Sequence, residues 1–227
     1  DLVEETIAAN TMGTVIHDTL DELYKPHINE FLTIGHIDHM IKNYKSLVTK
    51  YFIKYFKNGD VTTGKNRLVF EVSNRFVKRF LSMEKKVLQE GHTVKILGAE
   101  LKLETSINVP GIDFPIKIRG IVDRIDEFDG VTRIIDYKTG KVNPADLKVL
   151  SFEEINEVKY SKAIQVLLYA FLYCQNNSLA KEQPLVAGII SFKNLKAGLL
   201  KINFSSKIKN PEHLITGEKL HHFMNQI

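Results

Sequence analysis

The sequence predicts an α/β protein: one mixed β-sheet flanked by helices, with further helices inserted ahead of the strands. Three observations point there. Residues 1–90 carry apolar side chains at helical spacing, the pattern changes to strand-like alternation after residue 93, and one amphipathic helix separates a group of three strands from a group of two. The 227 residues are 44% hydrophobic and 26% charged, enough apolar material for a core that needs no covalent staples.

Taken in order, residues 6–24 read as a helix with Val15, Ile16, Thr19, Leu20 and Leu23 on one side, ended by Pro26. A second helix runs from about Ile37 to Phe56, with aromatics at helical spacing and Asn58-Gly59 as its break. A third spans about 65–90, with Gly91 suited to the left-handed position after its last turn. Residues 94–108 alternate as a strand, and 115–127 with 131–138 form a hairpin across Asp129-Gly130. Tyr160–Gln175 reads as a helix turning Ile164, Leu167, Leu168 and Phe171 to a core. Strands at about 185–192 and 199–204 and a helix at about 211–225 complete the chain. No proline- or glycine-rich linker divides it, so residues 1–227 are expected to form a single domain. Its core is about 6–25 with 93–227, and a helical subdomain of about 26–92 is set into it.

Composition excludes several classes. One cysteine, Cys174, rules out an intrachain disulfide and a four-cysteine metal or iron–sulfur centre. The longest apolar run, Val166–Cys174, is too short to span a bilayer, and the acidic start of the chain has no signal-like apolar segment. These features suit a cytoplasmic protein without a membrane partner. Charge is segregated: residues 1–41 hold eight acidic side chains and one basic, residues 42–95 thirteen basic and four acidic. Such asymmetry suits a polyanion-facing element or a solvated helix face.

The hairpin holds the most telling residues. In "GIVDRIDEFDGVTRIIDYKTG" a two-residue Asp-Gly turn fixes the pairing, because a type I′ turn needs positive φ at both central positions. Asp123 then faces Asp136 directly across the strands. A symmetric four-residue loop gives the same pairing, and a three-residue loop or a bulge shifts it. Opposed carboxylates repel unless a cation lies between them or one takes up a proton. A hard divalent ion, Mg²⁺ or Mn²⁺, fits that gap. Strand alternation puts Lys138 on the face of Asp136, with Ile134, while Arg133, Ile135 and Tyr137 take the other. Two aspartates and a lysine on one face are the equipment for metal-assisted attack on a phosphodiester.

These residues carry a resemblance to a known family. The chain resembles the PD-(D/E)XK nuclease superfamily, in particular its RecB/AddB-like branch. "GTVIH" with Gly13 and His17, "GIVDRID" with Gly120 and Asp123, "DYKTG" from Asp136 to Gly140, and "QVLLY" with Gln165 and Tyr169 follow in the family's order. The resemblance implies a restriction-endonuclease-like fold. It implies that His17, Asp123 and Asp136 coordinate Mg²⁺ or Mn²⁺ with the Tyr137 carbonyl oxygen, and that Lys138 is the catalytic lysine. Gln165 and Tyr169, one turn apart, would contact substrate, and Glu100 would stand behind the ligands. Many members of the branch bear an iron–sulfur cluster, which a chain with only Cys174 does not support.

The implied activity is a metal-dependent DNA nuclease, an exonuclease in recombination and double-strand-break repair. It would be excised from a longer helicase–nuclease, with helicase domains of that chain or a partner subunit beside it. Phosphate contacts are expected largely from the basic helices 42–95. The alternatives are a catalytically inactive DNA-end-binding or scaffold module of the same fold and, last, a phosphohydrolase of small phosphoesters. The latter would lack a glycine-rich phosphate loop.

Overall fold

A computed structural model describes residues 2–56, 64–177, 183–207 and 209–227, with the backbone alone for 2–9. Five strands, β1 (Val94–Ile107), β2 (Ile116–Phe128), β3 (Val131–Lys138), β4 (Val186–Ser191) and β5 (Leu199–Lys201), form one sheet in sequence order. Only β3 and β4 pair in parallel, so the sheet is mixed. Helices α1 (Leu2–Tyr24), α2 (Ile34–Tyr55) and α3 (Gly64–Gln89) cover one face. Helix α4 (Ser161–Asn176), which connects the parallel strands, covers the other with the short α5 (Gly217–Met224). The expected mixed sheet flanked by helices is observed.

Local chemistry sets the boundaries. Helix α2 starts at Ile34, three residues before its expected start, because Thr33 caps it: Thr33 Oγ1 accepts from His36 N–H at 3.1 Å, and His36 Nδ1 accepts from Thr33 N–H. The helix expected from 211 begins at Gly217. Residues before it run extended because Ile215 pairs with Leu185 through two backbone hydrogen bonds, and Thr216 then caps α5. The strand expected over 199–204 keeps regular pairing only to Lys201, beyond which Asn203 bridges to Lys148. The expected break at Asn58-Gly59 lies outside the described residues.

The β2–β3 hairpin pairs Phe128 with Val131 and Arg124 with Ile135, the pattern that the Asp-Gly turn dictates. Asp129 and Gly130 both have positive φ, 48° and 83°. The turn is clamped to the start of β1: Asp129 accepts from His92 Nδ1 at 2.7 Å and from Thr93 N–H at 2.8 Å. Strands β1 and β2 pair from Val94–Phe128 out to Ile107–Ile116 with interruptions at Leu97 and Glu100, but β3 pairs only with Arg124–Phe128. The outer part of the β1–β2 ribbon therefore projects past β3. Leu101, Leu103, Ile107, Ile118 and Val122 turn one face of it toward α4. The other face, with Lys102, Glu104, Ser106, Lys117, Arg119 and Ile121, is exposed.

The core between the sheet and α1–α3 encloses charge. Arg124 donates to Glu84 of α3 at 2.8 Å, lies 2.7 Å from Asp126, and stacks over the Tyr24 ring at 4.7 Å. Asp126 also receives both forks of Arg133, at 2.7 and 2.8 Å. Glu84, Arg124 and Asp126 are buried. Burial opposes the charge on Asp126, but Arg124 and Arg133 outweigh it and hold its pKa below the usual carboxylate range. Removing one member strands another in a dry site. Glu84→Ala is expected to destabilise the fold by about 3–5 kcal/mol, measured by urea denaturation.

Candidate metal and active site

The candidate site lies where β2 and β3 part. Their ladder ends at Arg124–Ile135, and Tyr137 N–H, instead of continuing it, donates to Asp123 Oδ2 at 2.5 Å. On the other side of β2, pairing holds at Ala99–Arg124 and Leu101–Val122 and lapses between them, where Glu100 faces Asp123. Glu100 has φ of 43°, a left-handed conformation that is uncommon away from glycine and clusters at functional sites. Three carboxylates thus occupy one row across adjacent strands: Glu100 on β1, Asp123 on β2, Asp136 on β3.

Side chains from both helical layers meet this row. His17 of α1 places Nδ1 3.1 Å from Asp123 Oδ1 and 3.7 Å from Glu100 Oε1, and its Nε2 donates to the Tyr137 carbonyl at 3.1 Å. Lys138 Nζ lies 3.0 and 2.9 Å from the two oxygens of Asp136. Gln165 of α4 donates to Asp136 Oδ1 at 3.0 Å and to the Tyr169 hydroxyl at 2.9 Å. Gly120 explains how Tyr169 comes so close. A Cβ there would meet Tyr169 Cε1 at 3.0 Å and Leu172 Cδ1 at 3.1 Å, so the bare backbone lets the ring lie on β2.

The structure therefore assembles His17, Asp123, Asp136, the Tyr137 carbonyl, Lys138, Gln165 and Tyr169 in one place. It arranges them as two linked groups. Ligand atoms of His17, Glu100 and Asp123 all lie within 4.8 Å of one another. Asp136 stands beside them, held by Lys138 and Gln165. Glu100 stands with His17 and Asp123 rather than behind them. The cleft of about 420 Å³ is completed by Asn10, Thr14, Asp18 and Thr139, which sequence reasoning did not single out.

Electrostatics shows that the row is short of positive charge. Burial disfavours the charge on His17, yet hydrogen bonds and attraction from Asp123 and Glu100 outweigh it and lift its pKa to about 10. Both ring nitrogens face acceptors, so the ring is an imidazolium. Burial and the neighbouring Asp123 raise Asp136 to about 6 against the pull of Lys138. Asp136 Oδ2 is buried with Lys138 Nζ 2.9 Å away, a contact that is not aligned as a hydrogen bond. Carboxylate oxygens, one imidazole and a backbone carbonyl gathered at one place are a donor set that fits a hard divalent metal ion.

Two other features fit less well. His27, Glu30 and His36 also cluster, but the two rings stack at 4.3 Å and 23°, so their lone pairs do not converge, and His36 Nδ1 already accepts from Thr33. A larger groove of about 1090 Å³ lies at the turn end of the sheet between α3 and β5, away from the carboxylate row.

The family model of the PD-(D/E)XK nuclease superfamily matches residues 2–225. The chain belongs to the PD-(D/E)XK nuclease superfamily, whose members are nucleases that generally use divalent metal ions, and DNA is the substrate its nuclease domain implies. No curated protein and no solved structure matches it. Among the described residues no helix is long and apolar enough to cross a membrane.

Because the folded pKa of His17, about 10, exceeds the ordinary 6.5, its proton stabilises the metal-free fold fully below about pH 6.5. That contribution is lost as pH rises through about 10. Thermal melts of metal-free protein between these limits should show the decline, and Asp123→Asn should flatten it.

Proposed function

We propose that this protein is a Mg²⁺- or Mn²⁺-dependent deoxyribonuclease. It hydrolyses phosphodiester bonds as an exonuclease in the cytoplasm, within a helicase–nuclease of AddB type that serves recombination and double-strand-break repair. The observation that carries the reading is the row of Glu100, Asp123 and Asp136 flanked by His17 and Lys138. The wider setting rests on the RecB/AddB-like order of the four motifs from Gly13 to Tyr169. Helicase domains of a longer chain, or a partner subunit, would deliver the DNA. Helices α2 and α3 would add phosphate contacts away from the centre.

His17, Asp123, Asp136 and the Tyr137 carbonyl would hold the ion, with Glu100 close enough to join them. When bound, the ion supplies charge neutralisation at the phosphate and a more acidic water. The chain's own groups do the rest. Lys138, now paired with Asp136, has a flexible ammonium that can turn to hold the attacking water or the charge growing on the phosphate oxygens. Gln165 fixes the orientation of Asp136 and is itself fixed by Tyr169. As a ligand His17 would have to be deprotonated, so metal uptake would release a proton near neutral pH.

Cleavage of labelled DNA with Mn²⁺ tests the reading. Asp136→Ala and Lys138→Ala should each lower kcat by about 100-fold or more while leaving the fold intact by circular dichroism. Activity that survives both substitutions sinks the assignment. DNA binding with no cleavage and no metal dependence favours the scaffold alternative. A second measurement follows the proton: calorimetric Mn²⁺ titrations in buffers of different ionisation enthalpy should report release of about one proton per site.

A further inference from the structure

The exposed face of the β1–β2 ribbon does not end at random. Residues of one face alternate along each strand, and the ladder pairs Ser106 with Lys117, Glu104 with Arg119, and Lys102 with Ile121. The next facing pair in the same series is Glu100 and Asp123, the start of the carboxylate row. The outer face is thus one continuous strip that runs from the ribbon tip into the candidate site. Three of its six exposed residues short of the row are cationic and one is anionic, and Glu104 pairs with Lys117 at 3.2 Å. Arg119 also borders the trough lined by Gln165 and Tyr169.

We propose that this face is the guide for the substrate strand: Lys102, Lys117 and Arg119 bind successive phosphates of a nucleic acid and feed the backbone to the carboxylates. The inference rests on the nuclease reading and adds to it a surface that neither the motifs nor the basic helices assign. Charge identifies the occupant. The strip is net positive, open to solvent and continuous with a centre built for phosphate chemistry. Its same-face residues advance about 6.8 Å per step, close to the spacing of phosphates along an extended strand. The scissile phosphate would meet Asp123 about 14 Å from the Cα of Arg119 and about 20 Å from that of Lys117. An acidic protein segment is the competing occupant, and salt dependence with a nucleic-acid probe separates the two.

The test is the triple variant Lys102→Gln, Lys117→Gln and Arg119→Gln, whose side chains lie outside the core. Binding of fluorescein-labelled oligothymidylate is read by anisotropy in EDTA over a salt series, so that no cleavage intervenes. Affinity is expected to fall about tenfold or more, and the slope of log K against log salt to flatten by about two, roughly 0.7 for each lost phosphate contact. Arg119→Lys, which keeps the charge, should retain most of the affinity. Affinity within about twofold of the parent, or a loss with an unchanged salt slope, overturns the guide. If the triple variant fails to fold by circular dichroism, Arg119→Gln alone is expected to flatten the slope by about 0.7, and an unchanged slope overturns the guide. Mn²⁺-dependent cleavage abolished by Lys138→Ala, together with ribbon-independent binding, would sink the guide and leave the nuclease standing. Ribbon-dependent binding without cleavage would do the reverse.

Discussion

The buried ion group of Glu84, Arg124, Asp126 and Arg133 is the constraint on which the rest depends. It joins α3 to β2 through the core that α1 shares with the sheet. Charges placed so deep are costly, and attraction repays the cost only with close geometry and few unmet donors or acceptors. That demand leaves the helical layer little freedom to slide. Arg124 is also the residue next to Asp123. The contact that docks the helices therefore sets where α1 carries His17 relative to the second carboxylate.

From that docking follows the character of the site. Glu100, Asp123 and Asp136 come from three neighbouring strands, His17 from one helical layer and Gln165 from the other. No single element holds the site, so its geometry reports the assembled fold. Its electrostatics is that of a cradle made for a cation. The neighbouring carboxylates raise the pKa of His17, and burial with Asp123 raises that of Asp136. Lys138 and Gln165 hold Asp136 through hydrogen bonds.

Much of this was legible in the residues because turn chemistry and alternation are local. The Asp-Gly turn fixed the β2–β3 pairing, and the motif order pointed to His17, Lys138, Gln165 and Tyr169. What stayed hidden depended on contacts remote in sequence. Glu100 faces Asp123 only because β1 shifts its pairing with β2 by one residue between Ile96 and Gly98. Nothing local in "GIVDRID" marks Arg124 and Asp126 as buried, and Glu84, from a helix 40 residues earlier, makes them part of a buried group. The final helix was placed too early because the pairing of Ile215 with Leu185, which draws Pro211–Thr216 into an extended path, leaves no local trace.

The Asp129-Gly130 turn, tied to His92 and Thr93, makes the inner hairpin a fixed ruler. From that tether to either aspartate the residue count is set, and with alternating faces one added residue in either arm would carry a carboxylate out of the cleft. At the opposite end none of the described residues clamps the loop of residues 108–115 in this way, so it can lengthen or shorten without disturbing the row. Variation in length among related chains should accumulate at one end of this ribbon and be purged from the other.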